Sequence, residues 1–213
     1  MRMPASCRPG APAAAGVRPP AIDDPPSCVR SAGRRPRAYG AVVPEYEFDG
    51  VRPEVAPSAF IAPTASLIGR VTIADDAVVM FGAVLRGDRD AIVLGAGSNL
   101  QDTAVVHCDP GSPATIGANV SIGHGAVVHG CTIENDCLIG MNATVLNGAV
   151  IGSGSLVAGG AVVLEGTEIP PRSLVAGVPA KVRRPITDEE LDRIRANAAT
   201  YRELAAQYRS QRL

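Results

Sequence analysis

Aliphatic residues recur at every sixth position from Ile61 to Val175, and that period restricts the fold more than any other feature of the chain. The first run is Ile61, Leu67, Ile73, Val79 and Leu85. After an interruption come Leu94, Leu100 and Val106, and after a second Ile116, Ile122 and Val128. A single step of five resets the series, which continues through Ile133, Ile139, Val145, Ile151, Val157, Val163, Ile169 and Val175. Four residues beyond most of these stands a small side chain, as at Ala65, Ala77, Ala83, Ala104, Ala126, Ala143 and Ala149. Period six matches neither the 3.6-residue helix nor the two-residue alternation of one long strand, and marks a solenoid of stacked units. A triangular coil with three short strands per turn satisfies it. The aliphatic side chain points into the prism and the small one sits beside it near the corner. Nineteen aliphatic positions at three per turn predict about six coils, stacked at the usual interstrand spacing of about 4.8 Å. The interruptions near residues 87–93 and 108–115 are expected as loops expelled from the prism.

The repeat is flanked by two different segments. Residues 1–42 hold seven arginines against Asp23 and Asp24, are rich in Ala, Pro and Gly, and have almost no large aliphatics. They lack the apolar surface to offset ordering and are expected to be disordered, or to lie upstream of a valine start at Val42 or Val43. An arginine-rich transit peptide is the rival reading, weakened by the two aspartates and the prolines. Residues 43–180 form the expected solenoid domain, and residues 181–213 the expected helical end. There Thr187-Asp188-Glu189-Glu190 reads as a capping box. Leu191, Ile194, Ala198, Tyr201, Ala205 and Tyr208 follow at helical spacing, so one amphipathic helix should pack on the prism or on another subunit.

Composition excludes several classes. Net charge is −1 overall but −6 outside the first 42 residues, which argues against nucleic-acid binding. No apolar run approaches the roughly 20 residues that span a bilayer, and the N-terminus has no apolar signal region, so a cytoplasmic location is expected. Five cysteines (Cys7, Cys28, Cys108, Cys131, Cys137) without a CxxC spacing read as free thiols. Cys108 reads as an inert small residue and Cys137 as core.

All three histidines, His107, His124 and His129, fall within one 23-residue window. Three imidazoles with an open fourth position form a frequent catalytic zinc shell. In the six-residue register Val106 and Val128 occupy one face on successive coils, so His107 and His129 should stack. His124 follows Ile122 by two and belongs to the neighbouring face. One prism would not bring all three to one metal, whereas a threefold assembly could supply His124 from the adjacent subunit. Arg86 falls on the His107 face one coil earlier, and Gln101 one coil before the His124 segment.

The repeat resembles the hexapeptide-repeat family, which implies a left-handed parallel β-helix. Leu85-Arg86-Gly87-Asp88, Asn99-Leu100-Gln101-Asp102, the H-x16-H-x4-H spacing and Gly177-Val178-Pro179-Ala180-Lys181 together resemble the γ-class carbonic anhydrases. They are closest in pattern to the short bacterial carbonic anhydrase-like proteins that include phenylacetate-pathway members. The resemblance covers roughly residues 45–210. It implies a homotrimer with metal at subunit interfaces, His107 and His129 from one subunit and His124 from its neighbour. It further implies Gln101 hydrogen-bonding the metal-bound hydroxide, Arg86 and Asp88 as an interface ion pair, and Asn99 and Asp102 in support. The implied metal is Zn2+, with Fe2+ or Co2+ also compatible with imidazole ligands. The implied substrate is CO2, hydrated to bicarbonate.

The chain departs from the prototype in its proton path. Arg89 stands where a shuttle glutamate follows the Arg-Gly-Asp run, and the segment from Asn99 to His107 is too short for a second glutamate loop. Asp90 or Asp109 could substitute, and weak CO2 hydration is the expectation. Two other functions use the same architecture: acyl-CoA thioester hydrolysis at the same metal, and hexapeptide acyl transfer with one catalytic histidine. The stacked histidine pair and Gln101 argue against the last.

Overall fold

The computed structural model describes residues 45–211. The expectations for residues 1–42, with Cys7 and Cys28, lie outside the described residues. From Glu45 the backbone winds as a left-handed parallel β-helix of about seven turns, followed by one C-terminal helix. The extra turn relative to the six-coil expectation is the first. It pairs Glu45–Tyr46 and Glu54–Val55 onto Ser66–Ile73; Val55, six residues before Ile61, keeps the hexad register opposite Ile73, but Glu45 stands opposite Leu67 and Tyr46 is exposed.

Three faces result. The first carries Val105–His107 and Val127–His129 in register, with Val106 opposite Val128. The second stacks Ala114–Ile116, Thr132–Ile133 and Val150–Ile151. The third stacks Asn99–Leu100, Ser121–Ile122 and Leu138–Ile139. From Leu67 onward every aliphatic position of the repeat is buried in one continuous core, and most are fully buried. Burying each such side chain contributes about 1.5–3 kcal/mol, which is why so regular a repeat specifies the prism.

The interruptions differ in form. The first is a bulge within a continuous strand, Val84–Leu94, and not an expelled loop. Its neighbours run Gly69 opposite Gly87 and then Val71 opposite Ile92, so the residues between are surplus at the corner. Glycine is needed there, since a Cβ on Gly87 would lie 2.5 Å from the Arg70 carbonyl oxygen. The second interruption is a compact turn closed by paired Asp109 and Ser112.

The outer surfaces of the faces are unlike. On the first, Val84, Val105, Val127, Thr144 and Val162 form an in-register, half-buried apolar column. On the second, Thr72, Thr115, Thr132 and Glu168 are exposed. The third is covered by the helix, which contacts strands Val78–Val79, Asn99–Leu100 and Ser121–Ile122. Between prism and helix, Lys181–Pro185 adds an antiparallel strand to Ser173–Ala176. The helix, Asp188–Ser210, starts with the anticipated capping box: Glu190 N–H donates to Thr187 Oγ1 and Thr187 N–H to the Glu190 carboxylate. Its buried residues, Ile194, Ala198 and Ala205, fall on the anticipated stripe. Among the described residues no helix is long and apolar enough to cross a membrane. Cys108, Cys131 and Cys137 are buried free thiols, and burial pushes Cys131 and Cys137 up to about 12.

Candidate metal centre

His107 and His129 face each other directly across adjacent turns. Their ring centroids are 4.9 Å apart, and His107 Nδ1 lies 2.9 Å from His129 Nε2. The outer nitrogen of each ring is held by an acceptor. His107 Nε2 is 3.1 Å from Asp88 Oδ1, and His129 Nδ1 is 2.7 Å from Asn147 Oδ1. The amide orientation of Asn147 follows from its other end, where Nδ2 donates to Asp109 Oδ2 at 2.8 Å. A carboxylate and an amide oxygen only accept, so both outer nitrogens carry the hydrogens of the neutral rings. The two inner nitrogens then present lone pairs to one another, an arrangement that requires a proton or a cation between them.

The donor set fits a divalent metal. Ligand atoms of His107, His129 and Asp109 all lie within 4.8 Å of one another, and two imidazoles with a carboxylate suit zinc and its neighbours. Partners on the outer nitrogens are what metal-ligating histidines ordinarily have. Arg86 Nη1 donates to Asp88 Oδ2 at 2.6 Å. Burial alone would raise the Asp88 carboxyl, but hydrogen bonds from Arg86 and His107 and the Arg86 charge outweigh it and hold the group below its ordinary range.

The remaining residues singled out in the sequence gather at a different corner, where the third face turns into the first. His124 Nδ1 lies 2.9 Å from Asp102 Oδ2, and its Nε2 is 3.2 Å from the Tyr201 hydroxyl on the terminal helix. Gln101 Nε2 donates to Asn99 Oδ1 at 3.2 Å, and Asn99 Nδ2 to Ser121 Oγ at 2.9 Å. That chain fixes the Gln101 amide with its oxygen as the acceptor end. The candidates therefore divide into two sets, Arg86, Asp88, His107 and His129 at one edge of the first face, and Asn99, Gln101, Asp102 and His124 at the other.

Asp90 and Asp109 prove dissimilar. Asp90 accepts from the backbone N–H of Ala91 and Gly111 and so clasps the second turn, whereas Asp109 joins the histidine pair. Arg89 is exposed, and its carbonyl accepts from Arg70. Sequence reasoning passed over Asn147 and took Tyr201 only as part of a helix stripe. Asn147 lies one turn beyond Gly130, where a Cβ would collide with its Oδ1, so glycine there makes room for the amide, a fit visible only in the fold. Nothing in the six-residue register points to the Tyr201 contact, which joins residues 77 positions apart.

Comparison with known proteins bears on the same residues. A family model described as "Bacterial transferase hexapeptide (six repeats)" matches residues 130–165. The chain is 60% identical over 151 residues to a Methanocaldococcus jannaschii protein named "Probable carbonic anhydrase", covering 71% of this chain and 95% of that one. It is 44% identical to the carnitine operon protein CaiE of Citrobacter koseri, over 78% and 84% of the two chains. It is 42% identical to the mitochondrial gamma carbonic anhydrase 1 of Arabidopsis thaliana, over 72% of this chain and 58% of the relative. Among solved structures, a hexapeptide transferase family protein from Anaplasma phagocytophilum superposes with a TM-score of 0.75 at 38% identity, over 78% and 98% of the chains. The repeat, the paired histidines and these likenesses converge: the chain belongs to the γ-class carbonic anhydrase-like family of hexapeptide-repeat proteins.

Proposed function

We propose that this protein is a metal-dependent carbonic anhydrase-type lyase that hydrates CO2 to bicarbonate and a proton at a site shared between subunits of a homotrimer. The carrying observation is the His107–His129 pair, whose inner nitrogens converge while Asp88 and Asn147 hold the outer ones. The residues that would hold the metal are His107 and His129 of one subunit and His124 of the next. Zn2+ is the first candidate and Fe2+ or Co2+ the alternatives. When bound there, such a cation lowers the pKa of water to about 7 and so makes a nucleophile available at neutral pH.

The trimer is supported by two features of the first face. Its half-buried outer apolar column lies away from the strands the helix contacts most, as expected of a surface that buries itself against a second copy. In addition, His124 follows the strand Ser121–Ile122, between the turn that carries His107 and the turn that carries His129. A threefold axis parallel to the prism brings together residues of similar height, and a position between the two stacked histidines suits a third ligand from a neighbouring copy. With its amide nitrogen donating to Asn99, Gln101 would have its carbonyl oxygen free to accept a hydrogen bond from the hydroxide that a bound metal would supply. Arg86 steadies the Asp88 carboxylate that orients His107.

The released proton is the slow part. All three histidines are committed to metal, Arg89 replaces a carboxylate, and Asp109 is the exposed carboxylate beside the pair. Small imidazole-type buffers, with a pKa near the working pH, should therefore raise turnover. The test is to mix His107→Ala with His124→Ala subunits. Each alone should lack metal and activity, while equal mixing of exchangeable subunits should restore about a quarter of the sites, because each site then draws on two chains. A monomer that retains metal, or no recovery on mixing, would refute the shared site. A panel of acyl-CoA thioesters run beside CO2 on metal-loaded protein separates the hydrolase reading: thioester turnover without CO2 hydration would displace the lyase.

A further inference from the structure

Tyr201 lies against the one histidine that the pair at the other edge does not engage. His124 Nδ1 faces the Asp102 carboxylate at 2.9 Å and so carries the ring hydrogen. The remaining nitrogen, Nε2, holds a lone pair, and the Tyr201 hydroxyl lies 3.2 Å from it as the only donor of the two. Nε2 thus accepts from a phenol of its own subunit, and it is also the nitrogen a metal would need.

The contact is built in by the way the helix docks. Arg195, Arg202 and Arg209 recur every seven residues and all reach the prism. Arg195 Nη2 donates to Asp136 Oδ2 at 3.1 Å, Arg202 Nη1 to the Gly97 carbonyl at 3.1 Å and to Asn119, and Arg209 to the Ser58 carbonyl. Seven helical residues rise about 10.5 Å, close to two coil spacings of about 4.8 Å, so the arginine ladder keeps step with the turns. Tyr208 adds a stacked contact with Phe60 and an edge contact with Phe81. These contacts hold the helix in register with the coils, and Tyr201 is delivered to His124 by that register.

We propose that Tyr201 is a positioning residue that competes with the metal for Nε2 of His124, so that metal loading requires the phenol to release the ring. The proposal rests on the metal reading above. Without metal, Tyr201 and Asp102 would hold the ring from both sides. When metal enters, the O–H···N hydrogen bond is exchanged for a metal–nitrogen bond and the hydroxyl turns to another acceptor.

Tyr201→Phe tests this, because it removes the hydroxyl while keeping the ring that packs between helix and prism. Affinity for Zn2+ and Co2+ should be measured on the assembled protein by competition with a chromophoric chelator. The variant should bind about two- to tenfold more tightly, the equivalent of one neutral hydrogen bond no longer opposed. Adding metal to the wild-type protein should perturb the near-ultraviolet tyrosine absorption, and the variant should lack that change. Helical content of the metal-free proteins should match, and the metal-free variant should melt no higher than wild type, since it lacks that hydrogen bond. Unchanged or weaker metal affinity in Tyr201→Phe, or a wild-type tyrosine spectrum indifferent to metal, overturns the competition while leaving the metal reading intact. A wild-type protein that binds neither metal overturns both.

Discussion

Asn147 is the residue on which the metal reading can be pressed hardest, because it touches no metal in any version of the site. It accepts from His129 Nδ1 at 2.7 Å and donates to Asp109 at 2.8 Å, linking the second histidine to the exposed carboxylate beside the pair. In Asn147→Ala the Nδ1 hydrogen of His129 loses its partner. The ring is then free to rotate or to place its hydrogen on the nitrogen that must coordinate. Loss of such an outer partner weakens metal binding by about 10- to 100-fold, or about 1.4–2.7 kcal/mol. Folding should suffer less, since the side chain is half exposed and Val145, the core residue of the strand just before this turn, is untouched. The assay is zinc or cobalt affinity by chelator competition, with Tm of the metal-free protein as the control for folding. Asp109→Ala supplies the comparison, since it leaves the Asn147–His129 contact in place and should cost clearly less affinity. Equal affinity in Asn147→Ala and wild type would refute the orientation argument. An Asp109→Ala loss as large as that of His107→Ala would make Asp109 a ligand and displace His124 from the third position.

Three further outcomes follow from the fold. Ile122→Ala, at a fully buried position, should destabilise the prism by about 2–5 kcal/mol, read as a lower denaturant midpoint with an unchanged slope; a loss below about 1 kcal/mol would mean the core collapses freely around the gap. Gly130→Ala forces a Cβ onto Asn147 Oδ1 and puts a side chain at φ +54°, so both stability and metal affinity should fall, and retention of wild-type affinity would count against the role of Asn147. Glu190 is held at about 2, below its ordinary 4.5, by the Arg184 guanidinium and the Thr187 N–H. A depressed carboxyl contributes stability that is complete above pH 4.5 and is lost as pH falls through about 2. The helix signal should therefore weaken across that window in wild type, and Glu190→Gln should lack this component; identical acid profiles would remove Glu190 from the cap.

The primary sequence determined the architecture almost alone. A six-residue aliphatic period has one economical solution, since each inward side chain must meet the core once per face, and burial enforces that register turn after turn. The same register placed His107 over His129 and set His124 at a different corner, because strand positions in a solenoid are fixed by counting. The capping box and helix stripe were legible for the same local reason. The first turn was legible only at Val55, six residues before Ile61 and opposite Ile73, because Glu45 and Tyr46 do not carry the repeat; the interruption near residues 87–93 was legible as a gap in the count, but its form as a bulge at Gly87 was not. What only the tertiary structure decided is the company each histidine keeps. Asn147 reaches His129 from the next turn, Asp109 reaches the pair through a tight turn, and Tyr201 reaches His124 from a helix 77 residues further along the chain. Side-chain hydrogen bonds depend on direction and reach within a few tenths of an ångström, and no periodicity encodes that. Counting residues says which rung a group stands on, and only the packed fold says which atom it faces.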